Sequence, residues 1–144
     1  MDIIFDIDGT LADIRHRAHY LARKPTDWAA FQTLAHLDSV FEPIAIIARE
    51  MAAERHCIII CTGRGEQERA VTETWLDQHY FHYNALYMRT EGDYRNDDVV
   101  KAELLVRMRA DGFDPVLAFE DRSRVVAMWR SHGIICAQVA EGDF

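Results

Sequence analysis

Short apolar runs alternate with longer amphipathic segments over most of this chain. Most runs end in acidic residues or in a threonine-glycine pair, and all are too short for helices, so they predict β-strands. We predict strands at Asp2–Asp6, Cys57–Cys61, Asn84–Met88, Val116–Phe119 and Ile134–Val139.

The intervening segments carry apolar residues three or four positions apart, which is the spacing of a helix with one buried face. We predict helices at Ser39–Arg55, Glu66–His79, Asp97–Asp111 and Ser123–His132, with Asp97 and Ser123 as N-caps. Strands that alternate with helices form βαβ units. We therefore expect an α/β fold, with a central parallel sheet of about five strands covered by helices on both faces.

Residues 11–37 interrupt this alternation. The segment is polar, fits no strand, and carries a group of basic side chains: Arg15, His16, Arg17, His19, Arg23 and Lys24. We predict that it forms a short helical flap over the sheet. Tyr20, Trp28 and Phe31 offer rings on which a base can stack, but their near-helical spacing favours packing inside the flap.

Composition places this pattern in an ordinary globular protein. The chain has 144 residues, 49% hydrophobic and 28% charged, so we expect a single domain over 1–144. We expect no membrane span and no secretory signal. The three cysteines show no metal-binding spacing. We therefore expect buried free thiols in a reducing, cytoplasmic protein.

The net charge of −8 limits the partners. An acidic surface repels phosphates on average, so we expect no extensive contact with a nucleic-acid backbone. A local basic cluster can still hold one phosphate or one strand end.

Polar residues gather where the predicted strands end. Asp6–Thr10 follows the first strand, Thr62–Arg64 the second and Glu120–Arg122 the fourth, while Lys101 lies one turn into a helix. Ligands of open α/β sheets bind beyond the carboxyl ends of the strands. We therefore expect these four segments to meet on one rim.

These residue types suit phosphoryl transfer, which needs a nucleophile, a proton donor and cationic cover for the phosphoryl oxygens. Asp6 can form an aspartyl-phosphate, and Asp8 can protonate the leaving oxygen and later activate water. Asp6 and Asp121 offer the oxygen ligands that suit Mg²⁺. Thr62 and Lys101 can bind the phosphoryl oxygens.

The motifs resemble a known superfamily. Asp6-Ile7-Asp8-Gly9-Thr10, Thr62, Lys101 and Glu120-Asp121 resemble, in order, the four motifs of the haloacid-dehalogenase superfamily. Longer stretches resemble the 3′-phosphatase domains of bacteriophage polynucleotide kinases: 93–101, 120–130 and the C-terminal 138–144. The resemblance implies a Rossmann-like three-layer sandwich with a minimal flap, residues 11–37, instead of a large cap.

The resemblance also implies roles for single residues. The catalytic set would be Asp6, Asp8, Thr62 and Lys101, the substrate-binding set Arg17, Gly63, Arg64 and Asp97, and the Mg²⁺ set Asp6, Asp8 through its carbonyl, Glu120 and Asp121. That family usually has Asp where this chain has Glu120. We therefore expect Asp121 to contact the metal directly and Glu120 to lie one layer further out. No GxxxxGK[ST] kinase motif is present, so we expect phosphate removal and not phosphate addition.

Three functions remain open at this point. The leading hypothesis is a phosphatase acting on the 3′-phosphate of nucleic-acid ends or 3′-nucleotides, in DNA or RNA repair, with a repair ligase or kinase as partner. A second is a 5′-nucleotidase-like or other small-metabolite phosphatase, which the acidic charge favours. A third is a non-catalytic phosphate-binding module, against which the complete motif set argues.

Overall fold

A computed structural model describes residues 1–142, so the end of the C-terminal segment compared above, 143–144, lies outside the described residues. Within 1–142 the strands are β1 (Asp2–Phe5), β2 (Ala12–Asp13), β3 (Ser39–Val40), β4 (Cys57–Gly65), β5 (Ala85–Arg89), β6 (Pro115–Arg122) and β7 (Ile135–Gly142). The helices are α1 (Trp28–Thr33), α2 (Glu42–Ala53), α3 (Arg69–Gln78), α4 (Asp97–Ala110) and α5 (Ser123–Ser131). Short 3₁₀ turns lie at Ala18–Tyr20, Ala35–Leu37 and Glu66–Glu68.

Five parallel strands form the central sheet, in the order β5-β4-β1-β6-β7. Successive side chains of a strand point to opposite faces, so β1 feeds two cores. Ile3 and Phe5 pack with residues of α2 and α3, while Ile4 packs with residues of α4 and α5. Trp75 and Trp129 are buried in these two cores, one in each. The predicted α/β fold with a five-stranded parallel sheet is confirmed.

Three strands run three or more residues further than the apolar pattern predicted, and one of them, β7, ends at Gly142 instead of Val139. The strand that begins at Cys57 continues through Thr62-Gly63 to Gly65, and the strand before Glu120 continues to Arg122. Pairing with the outer neighbours shifts register between Thr62 and Gly65 and between Glu120 and Arg122. Such irregularities turn side chains away from the regular ladder and are common beside active sites.

The helix ends also differ from the predictions. The helix predicted from Ser39 begins at Glu42, because Ser39–Val40 is a strand. Asp97 and Ser123 are the first residues of α4 and α5 and not their N-caps; Asn96 and Arg122 hold the cap positions, without a side-chain cap bond. No helix within residues 1–142 is long and apolar enough to cross a bilayer.

A two-stranded antiparallel ribbon joins the two ends of the flap. The expectation that residues 11–37 fit no strand is therefore wrong at Ala12–Asp13. Antiparallel pairs join Ala12 to Val40 and Asp13 to Ser39, so β2 and β3 close the two ends of the segment. The flap carries α1 and two 3₁₀ turns, so its helical character is as predicted. Phe31 is buried within it, whereas Trp28 is 54% exposed.

Candidate active site

A cavity of about 660 Å³ opens at the carboxyl ends of the central strands. The sequence-predicted site residues that line it are Asp6, Asp8, Arg17, Gly63, Arg64, Asp97, Glu120 and Asp121. Thr62 and Lys101 are fully buried. Lys101 lies directly behind Asp6, so all four sequence motifs meet at this rim.

Lys101 sits between two carboxylates at the base of the cavity. Its Nζ donates to Asp6 Oδ1 and to Glu120 Oε2, each at 2.7 Å. Burial alone would lower the pKa of Lys101, but the charges of Asp6 and Glu120 hold it well above its ordinary value. The ammonium group is therefore permanently charged and fixes the orientation of Asp6.

The base of the cavity carries three acidic side chains and one lysine. Asp6, Glu120 and Asp121 each offer a carboxylate oxygen, and these oxygens lie within 4.8 Å of one another. Burial raises the pKa of Asp6, and the charge of Glu120 adds to the effect. Burial and the charge of Asp6 raise the pKa of Asp121 to about 6. Three crowded carboxylates with one ammonium are a donor set that fits a hard divalent cation.

Glu120 already uses both of its oxygens within the protein. Oε2 accepts from Lys101, and Oε1 accepts from the backbone N–H groups of Asp121 (3.2 Å) and Arg122 (3.3 Å). Asp121 instead lies against Gly9, whose φ is +89° and where a Cβ would come 2.2 Å from Asp121 Oδ2. The loop after β1 can pass this close only with glycine.

Asp8 is held by two arginines. Arg64 Nη2 and Arg17 Nη2 each donate to Asp8 Oδ1 at 2.6 Å. Burial alone would raise the pKa of Asp8, but the charges of Arg64 and Arg17 hold it well below its usual range. Asp8 and Asp6 are thus two residues apart in sequence and experience opposite electrostatic environments.

A buried carboxylate that the sequence analysis missed orients both arginines. Asp38 accepts from Arg17 Nε at 2.6 Å and from Arg64 Nη2 at 3.1 Å. Its own backbone carbonyl accepts from the indole N–H of Trp75 at 2.9 Å, which anchors this end of the flap to α3. Asp38 stands alone in a polar segment, 21 residues from Arg17, so no local sequence signal reveals it.

The Arg17 side chain is almost completely buried. Its guanidinium carbon lies 3.9 Å from the centre of the Phe31 ring, and Nη1 donates to the Phe31 carbonyl at 3.2 Å. The side chain is 1% exposed. Its donors serve Asp8, Asp38 and the Phe31 carbonyl.

Asp97 links a second pair of arginines at the rim. Its carboxylate accepts from Arg89 Nη2 at 2.8 Å and from Arg122 Nη1 at 3.3 Å. Arg89 also donates to the Gly63 carbonyl at 2.9 Å, and a Cβ on Gly63 would come 2.5 Å from Asp97 Oδ1. The sequence analysis missed Arg89, although its place at the end of a predicted strand was a usable signal.

Thr62 turns its hydroxyl toward the backbone. Its Oγ1 accepts from the N–H of Arg64 at 3.2 Å, which holds the β4 turn around Gly63. The same hydroxyl keeps a proton that it can donate to a phosphoryl oxygen.

Known proteins are similar to this chain in sequence and in architecture. A family model described as the polynucleotide kinase PNKP phosphatase domain matches residues 1–144. Two solved structures, one of a Pnkp1/Rnl/Hen1 complex and one of a Pnkp1/Rnl/Hen1 RNA repair complex, each contain a chain 30% identical to this one, with a TM-score of 0.85. The match covers 99% of this chain but 46% and 43% of those chains, so this chain spans less than half of their length.

More distant structures share the fold. A hydrolase from Streptococcus pneumoniae TIGR4 is 15% identical, with a TM-score of 0.65, over 97% of this chain and 92% of that one. A predicted phosphatase from Clostridium acetobutylicum is 11% identical, with a TM-score of 0.67, over 95% of this chain and 83% of that one.

Proposed function

This chain belongs to the family of polynucleotide kinase PNKP phosphatase domains, a haloacid-dehalogenase type of phosphatase, and from that membership we propose its substrate and mechanism. The proposed reaction removes the 3′-phosphate from nucleic-acid ends or 3′-nucleotides. It depends on Mg²⁺ and passes through an acyl-phosphate of Asp6.

The observation that carries the mechanism is the contrast between Asp6 and Asp8. Lys101 binds Asp6 at the base of the cavity, whereas Arg17 and Arg64 bind Asp8 beside it. Burial and the charge of Glu120 raise the pKa of Asp6, and a divalent cation held by Asp6 and Asp121 would favour the ionised form that attacks phosphorus. The two roles therefore follow from the positions and partners of the two carboxyl groups.

Asp6 and Asp8 supply the nucleophile and the proton that the reaction needs. A carboxylate oxygen of Asp6 attacks phosphorus, the bond from phosphorus to the 3′-oxygen breaks, and Asp8 gives that oxygen a proton. A water molecule then attacks phosphorus and passes its proton to Asp8, which frees Asp6 and inorganic phosphate. Lys101 and the Thr62 hydroxyl stabilise the charge on the phosphoryl oxygens.

Asp8 needs a proton in the first step, and the charges of Arg64 and Arg17 disfavour its protonated form. The substrate supplies the change, because a bound phosphate places negative charge beside Asp8 and competes for the same guanidinium groups. Both effects raise the pKa of a carboxyl group. In the second step the ionised form of Asp8, which the arginines favour, is the base that is required.

Arg17 and Arg64 act in this proposal mainly as positioning residues. Their shared contacts with Asp8 and Asp38 support this role, since Arg17 is 1% exposed and Arg64 3% exposed at the side chain. Paired guanidinium contacts fix the direction of a carboxylate better than a single charge does. The substrate-binding role expected of Arg17 and Arg64 would therefore be exerted mainly through Asp8.

Asp6 and Asp121 would hold Mg²⁺ directly, with the Asp8 carbonyl as a third protein ligand. Glu120 would act from one layer out, because its oxygens are used by Lys101 and two backbone amides. When bound, Mg²⁺ supplies positive charge to the phosphoryl oxygens.

Removal of divalent metal is expected to abolish phosphate release, and added Mg²⁺ to restore it. Ca²⁺ is expected to bind and inhibit, because it prefers more ligands and a looser geometry. The measurement is phosphate release after exhaustive EDTA treatment and after titration with each ion. Circular dichroism of the EDTA-treated protein controls for unfolding. Full activity without metal would exclude the metal-dependent mechanism.

The 3′-phosphate is expected to be preferred over the 5′-phosphate by at least about ten-fold in kcat/KM, or ~1.4 kcal/mol. The expectation rests on the family match, because a cavity that admits the phosphate of a secondary alcohol also admits that of a primary one. The comparison uses thymidine 3′- and 5′-monophosphate and a matched pair of oligonucleotides. Equal or better turnover of both 5′-phosphates contradicts the 3′ assignment.

The second candidate is a 5′-nucleotidase-like or small-metabolite phosphatase on the same residues. The net charge of −8 favours it, because long nucleic acids are repelled. The experiment above distinguishes the two, since a mononucleotide phosphatase turns over the mononucleotides faster than the oligonucleotides. The relatives in Pnkp1/Rnl/Hen1 complexes favour a nucleic-acid end, with a repair ligase or kinase as partner.

A further inference from the structure

One tryptophan of this chain lies at the surface, and it lines the cavity. Trp28 is 54% exposed, whereas Trp75 and Trp129 are 1% exposed. A single exposed apolar residue is ordinary. Trp28 differs because its surroundings in the cavity are apolar as well and because its position is fixed.

Eight flap residues line the cavity, three of them polar (Arg17, Thr26 and Gln32) and five apolar, and we call the apolar five the flap wall: Ile14, Leu21, Trp28, Phe31 and Ala35. The arginines that line the cavity outside the flap come from the ends of β5 and β6 and from neighbouring segments: Arg64, Arg89, Arg95, Arg122 and Arg124. Eight acidic residues line the same cavity, so the proposed active site, and not an excess of arginines, places a phosphate there, and the flap wall adds an apolar surface beside it. A nucleotide suits both parts, through its phosphate and its base.

The position of Trp28 is fixed by its neighbours. It is the first residue of α1, and the Asp27 carboxylate caps this helix by accepting from the Ala30 N–H at 3.0 Å. The Phe31 ring meets Trp28 edge-on at 6.2 Å and on its other side packs on the Arg17 guanidinium. A continuous set of contacts thus joins Trp28 to the arginine that holds Asp8.

We propose that Trp28 stacks on the base of the nucleotide that carries the reacting phosphate. The proposal rests on the proposed function and names the part of the substrate that the flap recognises. Tyr94 also lines the cavity, but it is 95% exposed. A ring without such support loses more freedom on stacking, so Trp28 is the better platform.

The kinetic test compares a nucleotide with an ester that has no base. Trp28→Ala is expected to raise KM for thymidine 3′-monophosphate about ten-fold with kcat nearly unchanged, and to leave the abasic deoxyribose 3-phosphate analogue unaffected. Trp28→Phe is expected to keep most of the affinity. Leu37→Ala is the matched control, since Leu37 is an exposed flap residue, 60% accessible, that does not line the cavity.

Two results would overturn the proposal. Equal losses on the nucleotide and the abasic ester would mean that Trp28 only supports Phe31 and Arg17. A loss in Tyr94→Ala with none in Trp28→Ala would assign the base to the other side of the cavity.

Binding without turnover separates this proposal from the proposed function. In the Asp6→Asn protein, thymidine 3′-monophosphate is expected to quench the fluorescence of Trp28, and Trp28→Phe in that background is expected to remove the quenching. Quenching without any turnover of 3′-phosphates by the wild type would keep the stacking site and reject the 3′-phosphatase. Turnover by the wild type without quenching would reject the stacking site alone.

Discussion

The Asp6→Asn protein is expected to fold and to lose at least about a thousand-fold in kcat, the scale seen when a covalent nucleophile is removed. An amide cannot form the acyl-phosphate, yet it has the same shape and can still accept from Lys101 Nζ, 2.7 Å away in the wild type. Stability is expected to hold or rise, because the change removes one of three crowded acids. Phosphate release and urea unfolding measure the two effects.

The covalent intermediate itself provides the control for this prediction. Wild-type protein quenched during turnover is expected to carry phosphate that hydroxylamine releases, as an acyl-phosphate does, and Asp6→Asn is expected to carry none. Substantial turnover by folded Asp6→Asn protein would falsify the covalent mechanism.

Lys101→Met is expected to abolish activity and, at neutral pH without metal, to cost roughly 3–5 kcal/mol in the free energy of unfolding. That is the scale for breaking a buried ion pair by removal of one partner. Methionine fills similar space but leaves Asp6 and Glu120 buried without their common cation. Urea unfolding of variant and wild type measures the difference.

The loss in Lys101→Met is expected to grow with pH. Burial already raises the folded-state pKa of Asp6 and Glu120, and removal of Lys101 raises both further. A carboxyl group whose pKa is higher in the folded than in the unfolded protein stabilises the fold while it is protonated. That contribution is fully present below the unfolded-state pKa and is lost as pH rises through the folded-state pKa. The difference from wild type should therefore be smaller at pH 5 than at pH 8.

Lys101→Arg is the matched control, since it keeps the charge but not the compact ammonium. It is expected to recover much of the stability and little of the activity. A Lys101→Met protein that is as stable as wild type at pH 8 would show that Asp6 and Glu120 do not need the charge of Lys101 in the folded state. The stability argument would then be wrong.

The sheet could be predicted because its strands contain short, continuous apolar runs in the sequence. Cys57–Cys61 is apolar throughout, and a strand buried on both faces needs such a run. The β2–β3 ribbon was not predictable in the same way. Its two strands have two residues each and lie 27 positions apart, so neither shows an alternation, and pairing alone makes them strands.

The candidate site likewise contains residues that could be predicted from the sequence and residues that could not. Asp6, Asp8 and Asp121 could be selected because each lies at or just after a strand end within a recognisable motif, and Lys101 because it lies one turn into a helix in another motif. Asp38 could not, because its importance comes from two arginines that are distant in sequence. The position of Trp28 was equally hidden. Spacing favoured packing, and only the three-dimensional course of the flap leaves its ring in the cavity.

The β2–β3 ribbon makes the flap an exchangeable part of the molecule. Both ends of the flap leave the body at paired positions, so its interior can change in length or sequence while the two attachment points stay together. The residues that would perform the proposed chemistry lie directly after β1 and on β4, α4 and β6, outside the flap. A lineage can therefore evolve a new substrate range by rewriting residues 18–37, provided that a ring at position 31 continues to cover Arg17.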